Sequence, residues 1–228
     1  MSEIKLANVS LKFPITFSDK SLRNNLYNFV KKKNEQFNFK SCLKNINLSI
    51  KDGDRVGILG ENGSGKSTLL RIISGIYTPD SGTVNVIGKV LAVHALNTGI
   101  DMESTGEENI YNISFMRGIK KNEIDQKIQK IIDYSELGSS IFKPLRTYSS
   151  GMIARLSSSM LVTFESEILI LDEFISTGDD NFKKKLRESI LKKIESSNIF
   201  VFASHDKELV NSICNKKILL KYGEIINE

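Results

Sequence analysis

The residues Gly60-Glu61-Asn62-Gly63-Ser64-Gly65-Lys66-Ser67-Thr68 have the form GxxxxGK[ST], and they stand between an apolar run at 55–59 and an apolar helical pattern at 66–74. Glycines at this spacing let successive backbone N–H groups turn inward around phosphate oxygens without side-chain clash. A helix starting near Lys66 adds its N-terminal dipole to that nest. Lys66 is placed to reach β- and γ-phosphates, and Ser67 offers a hydroxyl to Mg²⁺. The second chemical element is Ile168-Leu169-Ile170-Leu171-Asp172-Glu173, an apolar strand ending in two carboxylates. Alone it is a common pattern. Downstream of a phosphate loop it points to Asp172 holding the Mg²⁺ hydration shell, with Glu173 orienting and deprotonating an attacking water. Adjacent Asp-Glu favours water as the nucleophile over the acceptor site that a kinase needs.

The elements that must position these residues alternate in period. Residues 3–13 place Ile4, Leu6, Val9, Leu11 and Phe13 in the alternation of an edge strand, and LKNINLSI at 43–50 alternates again. RVGIL at 55–59 reads as a short buried strand, the helix behind the loop stops at Gly75, and TVNVIG after the Thr78–Gly82 turn leads into another strand. From about 105 to 163 the period becomes helical, with Ile124, Ile128, Ile131 and Ile132 on one face and Asn122 as the expected N-cap. Strand-like runs return at 167–171, 199–203 and 217–221, separated by helical segments at 179–195 and 206–213. Such alternation implies a parallel sheet with crossover helices, interrupted by an inserted helical subdomain. A polar stretch at 15–40 carries a short amphipathic segment, Leu22, Leu26, Phe29 and Val30, with Ser21 as a cap. It reads either as a face for a membrane-embedded partner or as a helix packed on its own domain.

The 228 residues, 40% apolar and 26% charged, suit one large soluble domain or two small ones. The start MSEIKLANVS has no basic segment followed by an apolar stretch, so no secretory signal is expected. The runs ILIL and IFVFA are too short to span a bilayer, which predicts a cytoplasmic chain unless a partner holds it elsewhere. Cys42 and Cys214 have no metal or redox spacing and are expected as reduced thiols. A net charge of +5 with pI near 9.0 admits nucleic acid, an anionic membrane surface or no particular partner. The runs at Lys31–Lys33 and Lys183–Lys185 read as solvated faces.

Upstream of the acidic strand, Tyr148-Ser149-Ser150-Gly151-Met152 resembles the LSGGQ signature of the ABC ATPases, in that family's position. Ser204-His205-Asp206 follows the strand IFVFA where the family carries its switch histidine, and Ser176-Thr177-Gly178-Asp179 looks like its D-loop. The resemblance runs from about residue 3 to 226. It implies the ABC-type P-loop α/β fold, residues 1–228 forming a single nucleotide-binding domain with a mixed-sheet core, an antiparallel β subdomain and an inserted α-helical subdomain. It further implies two copies closing head to tail on two Mg-ATP, each ATP lying between Gly60–Thr68 of one copy and Ser149, Ser150 and Gly151 of the other. Ser149 and the Gly151 N–H then contact the γ-phosphate, and His205 stabilises transition-state charge. Of the aromatics that stack on adenine in this family, Phe13 occupies the nearest motif position, with Phe37 and Phe39 as alternatives.

The sequence departs from the general family pattern in telling ways. Transport members usually carry a coupling glutamine near 89–95, yet no glutamine occurs between Gln36 and Gln126, and His94 or Asn97 are the local substitutes. The YSSGM signature, the STGD loop, the TGEENI run at 105–110 and the insert after Phe13-Pro14 together resemble the ATPase subunits of polysaccharide exporters (O-antigen, capsule, wall teichoic acid). Ending at Glu228, the chain resembles members without a C-terminal carbohydrate-binding domain. This implies a transmembrane permease partner that makes most of the glycan contact, and a peripheral place on the cytoplasmic face of the membrane. The rival readings are another ABC transporter type sharing the same motor, and a non-transport ABC ATPase on nucleic acid. Nucleic acid is not expected, because the chain has one cassette, no sustained heptads and no cysteine cluster.

Overall fold

The computed structural model describes residues 1–14, 39–92, 99–172 and 180–226. The expected amphipathic segment at 22–30, Phe37, His94, Asn97, Glu173 and the run 176–179 lie outside the described residues.

Among the described residues the strands form two sheets. Strands β1 (Glu3–Pro14), β2 (Phe39–Lys51) and β4 (Ser81–Ile87) form an antiparallel sheet in the order β2-β1-β4. β1 is thus the central strand of its sheet and not the edge strand its alternation suggested. The reason is visible in its irregular period: Ile4, Leu6, Val9 and Leu11 are all buried because the pairing register shifts between Leu6 and Val9, where Asn8 adopts φ 54°. Alternation reports which face is buried, and says nothing of how many neighbours a strand has.

The second sheet has the order β5-β6-β7-β3-β8-β9, with β3 (Arg55–Leu59), β5 (Val90–Ala92), β6 (Ile168–Asp172), β7 (Ile199–Ala203) and β8 (Lys216–Lys221) parallel. β9 (Glu224–Ile226) closes one edge antiparallel to β8. Both faces of the parallel strands are covered, as continuous apolar runs require. Leu169, Leu171, Phe200 and Phe202 point into one core, while Ile168, Ile170, Ile199, Val201 and Ala203 point into the other.

Helix α1 (Lys66–Ile73) and the antiparallel sheet fill the second of these cores, through Leu69, Leu70, Ile72 and Ile73. The first core takes α2 (Gly106–Met116), α3 (Lys121–Ser135), α4 (Ser150–Thr163) and α5 (Asp180–Ser196), together with Val210 of α6 (Lys207–Ile213). Ile124 and Ile131 of α3 are fully buried, and Ile128 and Ile132 pack beside them. The start of α3 differs from expectation: Lys120 occupies the N-cap position without a side-chain cap, and Asn122 lies inside the first turn. Ile119, just before the cap, and Ile124 are buried in one cluster, so apolar contact sets the entry of this helix where a polar cap was expected. α2 does have its polar cap: Thr105 accepts from the Glu108 N–H, and the Glu108 carboxylate accepts from the Thr105 N–H.

Among the described residues, no helix is long and apolar enough to cross a membrane.

Candidate functional site

The register of the parallel sheet assembles the site. Ile58 of β3 pairs with Ala203 of β7, and Ala203 pairs with Asp172 of β6. These three residues form one row at the carboxyl edge, which is where doubly covered α/β sheets bind ligands. Gly60 follows β3 at that edge, and Ser204-His205 follow β7.

A cavity of about 410 Å³ opens here, lined by Asn62, Gly63, Gly65, Lys66, Ser67, Thr68 and Asp172, with Cys42 of β2 on its wall. Sequence-distant Asp172 therefore meets the glycine loop, as the expected magnesium role requires. Gly65 is the N-cap of α1 with φ 109°, and a Cβ there would lie 2.9 Å from the Cys42 carbonyl. A Cβ on Gly60 would collide with the Leu220 carbonyl and the Ser64 hydroxyl. The loop backbone can take this path only without side chains at both places.

Lys66 is 8% exposed, and its ammonium donates to the carbonyls of Gly60 (2.7 Å) and Glu61 (3.0 Å). An ammonium carries three N–H donors, so one remains for an anion in the cavity. The donor set suits a phosphate with a hard divalent cation: a buried ammonium, the hydroxyls of Ser67 and Thr68, the first turn of a helix and one carboxylate. Ser67 and Asp172 are the residues that would hold Mg²⁺. Among the described residues no group of three or more His, Cys, Asp or Glu side chains could hold a metal by itself.

Ser149, Ser150 and Gly151 do not line this cavity; they open α4. The Ser149 hydroxyl accepts from the Met152 N–H at 3.3 Å, so the serine is an N-cap and keeps its own O–H free to donate outward. Ser149 and Ser150 are exposed, whereas Tyr148 before them is buried and donates to the Ser140 carbonyl at 2.6 Å. Burial pushes the Tyr148 phenol up, keeping it a neutral donor. The Thr105–Pro144 bridge and the close approach of Gly106 to the Tyr148 hydroxyl bind this turn to the start of α2. His205 is exposed beyond β7, next to Asp206, which caps α6 by accepting from the Leu209 N–H. Phe13 is 37% exposed and stands edge-on to Tyr77, ring centroids 5.6 Å apart; it is not part of the cavity wall. Phe39, the alternative that is described, is 58% exposed at the start of β2.

Comparison with known proteins decides what this arrangement belongs to. The family model described as "ABC transporter" matches residues 43–176. The chain belongs to the ABC transporter family. A relative, the O-antigen export system ATP-binding protein RfbE of Yersinia enterocolitica, is 37% identical over 234 residues, covering 100% of this chain and 98% of that protein. The teichoic acids export ATP-binding protein TagH of Bacillus anthracis is 35% identical over 224 residues, 94% of this chain but 40% of that protein. Among solved structures, a dimeric ATP-binding cassette in a post-hydrolysis state, bound to ADP and Pi, superposes with a TM-score of 0.72 at 22% identity over 98% of this chain and 97% of that one. The mixed sheet, antiparallel β sheet and helices are thus the P-loop fold of ABC ATPases.

Two site residues of this ABC chain escaped the sequence reading. Cys42, expected only as a reduced thiol, contacts the Thr68 hydroxyl at 3.7 Å on the cavity wall. Gly223, in the β8–β9 turn, donates its N–H to the Ser64 carbonyl (3.0 Å), and its own carbonyl accepts from Lys44 N–H (2.7 Å). It braces the phosphate loop from the far end of the sequence. The signal for the turn was a Tyr-Gly pair between two short apolar runs, but nothing local links it to Ser64. Gly223 has φ 80°, and a Cβ there would lie 3.0 Å from the Cys42 carbonyl carbon. Gly223→Ala is expected to weaken binding of a fluorescent ATP analogue about five- to ten-fold, the worth of one loop-holding hydrogen bond; an unchanged Kd would show that the brace is dispensable.

Proposed function

We propose that this chain is the ATP-binding and ATP-hydrolysing subunit that drives export of a lipid-linked polysaccharide, of the O-antigen, capsule or teichoic acid type, through a transmembrane partner. The observation that carries the motor half is the cavity in which Lys66, Ser67 and Asp172 meet beside the glycine loop. The cargo class is supported by the names of the relatives, one of them aligned over the whole chain.

In this reading the backbone N–H groups of Gly60–Thr68 and the free Lys66 donor hold the β- and γ-phosphates. Ser67 and Asp172 would hold Mg²⁺, which when bound would supply charge neutralisation to the phosphates. Glu173 takes the proton of the attacking water, and His205 steadies charge on the γ-phosphate. Two copies close head to tail, so that Ser149, Ser150 and Gly151 of each act on the ATP of the other. The outward O–H of Ser149 and the exposed start of α4 suit that role. Phe13 stacks on adenine, with Tyr77 fixing the tilt of its ring. The subunit lies peripherally on the cytoplasmic face of the membrane, and the permease makes most of the glycan contact.

The test is complementation in cells lacking this chain. Wild type is expected to restore surface glycan, while Lys66→Ala leaves lipid-linked polysaccharide on the inner face. Normal surface glycan in the deletion strain, with loss of some other transported solute, would overturn the cargo.

A further inference from the structure

Glu136 sits where three helices meet, and it stands in an unusual conformation for its type. It ends α3 with φ 55° and ψ 28°, the left-handed position that helices normally give to glycine or asparagine. A glutamate there is disfavoured by its Cβ, so its side chain must be recovering something.

Its two carboxylate oxygens go to two different helices. Oε2 accepts from Arg155 Nη1 of α4 at 3.0 Å, and Oε1 accepts from Lys185 Nζ of α5 at 2.7 Å. Both cations are further tied to the end of α3: Arg155 donates to the Ser135 carbonyl (3.4 Å) and Lys185 to the Tyr134 carbonyl (3.1 Å). Aromatic faces complete the joint. The Arg155 guanidinium lies 4.6 Å from the Phe182 ring centroid, and the Lys185 ammonium lies 4.3 Å from that of Tyr134. The Tyr134 hydroxyl contacts Ser189 Oγ at 2.8 Å, adding a second tie to α5. The Lys185 hydrogen bond, opposed by burial and helped by the Lys185 charge and then by Arg155, holds the Glu136 carboxyl below its usual range.

We propose that Glu136 is a positioning residue for hydrolysis: its carboxylate locks α4, which begins at Ser149–Gly151, to α5, the first described helix after Asp172. The proposal rests on the ATPase reading above. Each copy's α4 presents its first turn to the ATP of its partner, while Asp172 serves the copy's own ATP. A lock between α4 and α5 fixes one site's geometry relative to the other. Because the glutamate side chain is 47% exposed, its two ion pairs add little to stability. Their worth is angular, since one planar group holds two cations from separate helices in one arrangement.

Glu136→Gly separates positioning from stability, because it removes the carboxylate while relieving the left-handed backbone. In the full chain, kcat for Mg-ATP is expected to fall about ten-fold with KM changed by less than about two-fold, and the melting temperature to hold or rise. Without nucleotide, hydrogen exchange of the Met152 and Ile153 amides, both held by Ser149, is expected to quicken by about ten-fold. Glu136→Gln should reproduce both effects in smaller measure. Unchanged kcat and unchanged exchange at that turn would overturn the proposal, as would loss of kcat in step with a lowered melting temperature. Failure of the wild-type chain to turn over Mg-ATP would instead sink the ATPase reading, while the exchange measurement still judges Glu136.

Discussion

Lys66→Ala is expected to lower Mg-ATP turnover by about 10²–10³-fold, the loss that follows removal of one preorganised donor from a charge-developing site, about 3–4 kcal/mol. The effect has two sources in the structure. The ammonium is 8% exposed and aimed along the loop, so its third donor would meet phosphate in a partly desolvated setting where electrostatics are strong. The same group holds the carbonyls of Gly60 and Glu61 and so keeps the loop in its phosphate-receiving shape. Lys66→Arg should rescue little, because a planar fork cannot place a point charge between those carbonyls and a phosphate. Phosphate release over time measures the loss, with the unfolding midpoint as control; turnover within about three-fold of wild type would show that Lys66 is not in the catalytic machinery.

Phe202→Ala carries the largest expected stability effect, about 3–5 kcal/mol. Phe202 is fully buried on β7, its ring stacked on Phe200 at 5.9 Å between centroids, in the core shared by α3, α4 and α5. Relaxation cannot refill the cavity cheaply, since the neighbouring Leu169 and Leu171 are strand residues held by pairing, Leu169 on both sides and Leu171 directly to Phe202. The strand also aligns Ala203 with Asp172 and leads to His205, so turnover should fall beyond what reduced folding explains. Denaturant unfolding gives the ΔΔG directly. A loss below about 1 kcal/mol would mean that this core repacks freely, contrary to its interlocked layers.

The parts of this site that were legible in the sequence are those whose chemistry is local. The glycine loop is readable because its conformation needs particular residues at particular spacing, and Asp172 because an apolar strand ends on it. The parallel sheet followed from alternating strand and helix patterns, and the strands at 168–172 and 199–203 begin and end within a residue of expectation. What stayed hidden depends on pairing between distant segments. β1 is central because β4 adds to it from across the phosphate loop, and no residue of β1 announces that neighbour. Gly223 reaches Ser64 only once β8 has paired with β3. Cys42 became part of the cavity because the antiparallel sheet packs over α1. Asn122 failed as a cap because buried Ile119 and Ile124 set the start of α3 two residues earlier, with Lys120 at the N-cap. Glu136 looked like one more surface charge, and only the folded arrangement joins it to Arg155 and Lys185.

The most direct test of the central claim, that two copies close on Mg-ATP and hydrolyse it, is light scattering of wild type and Glu173→Gln with Mg-ATP. Glu173 is the proposed base, so its amide variant should bind nucleotide without consuming it. The expected result is a nucleotide-dependent dimer for Glu173→Gln, while wild type returns to monomer as ATP is spent. A variant that binds Mg-ATP yet stays monomeric, both alone and beside its membrane subunit, would contradict the trans-acting role of Ser149, Ser150 and Gly151.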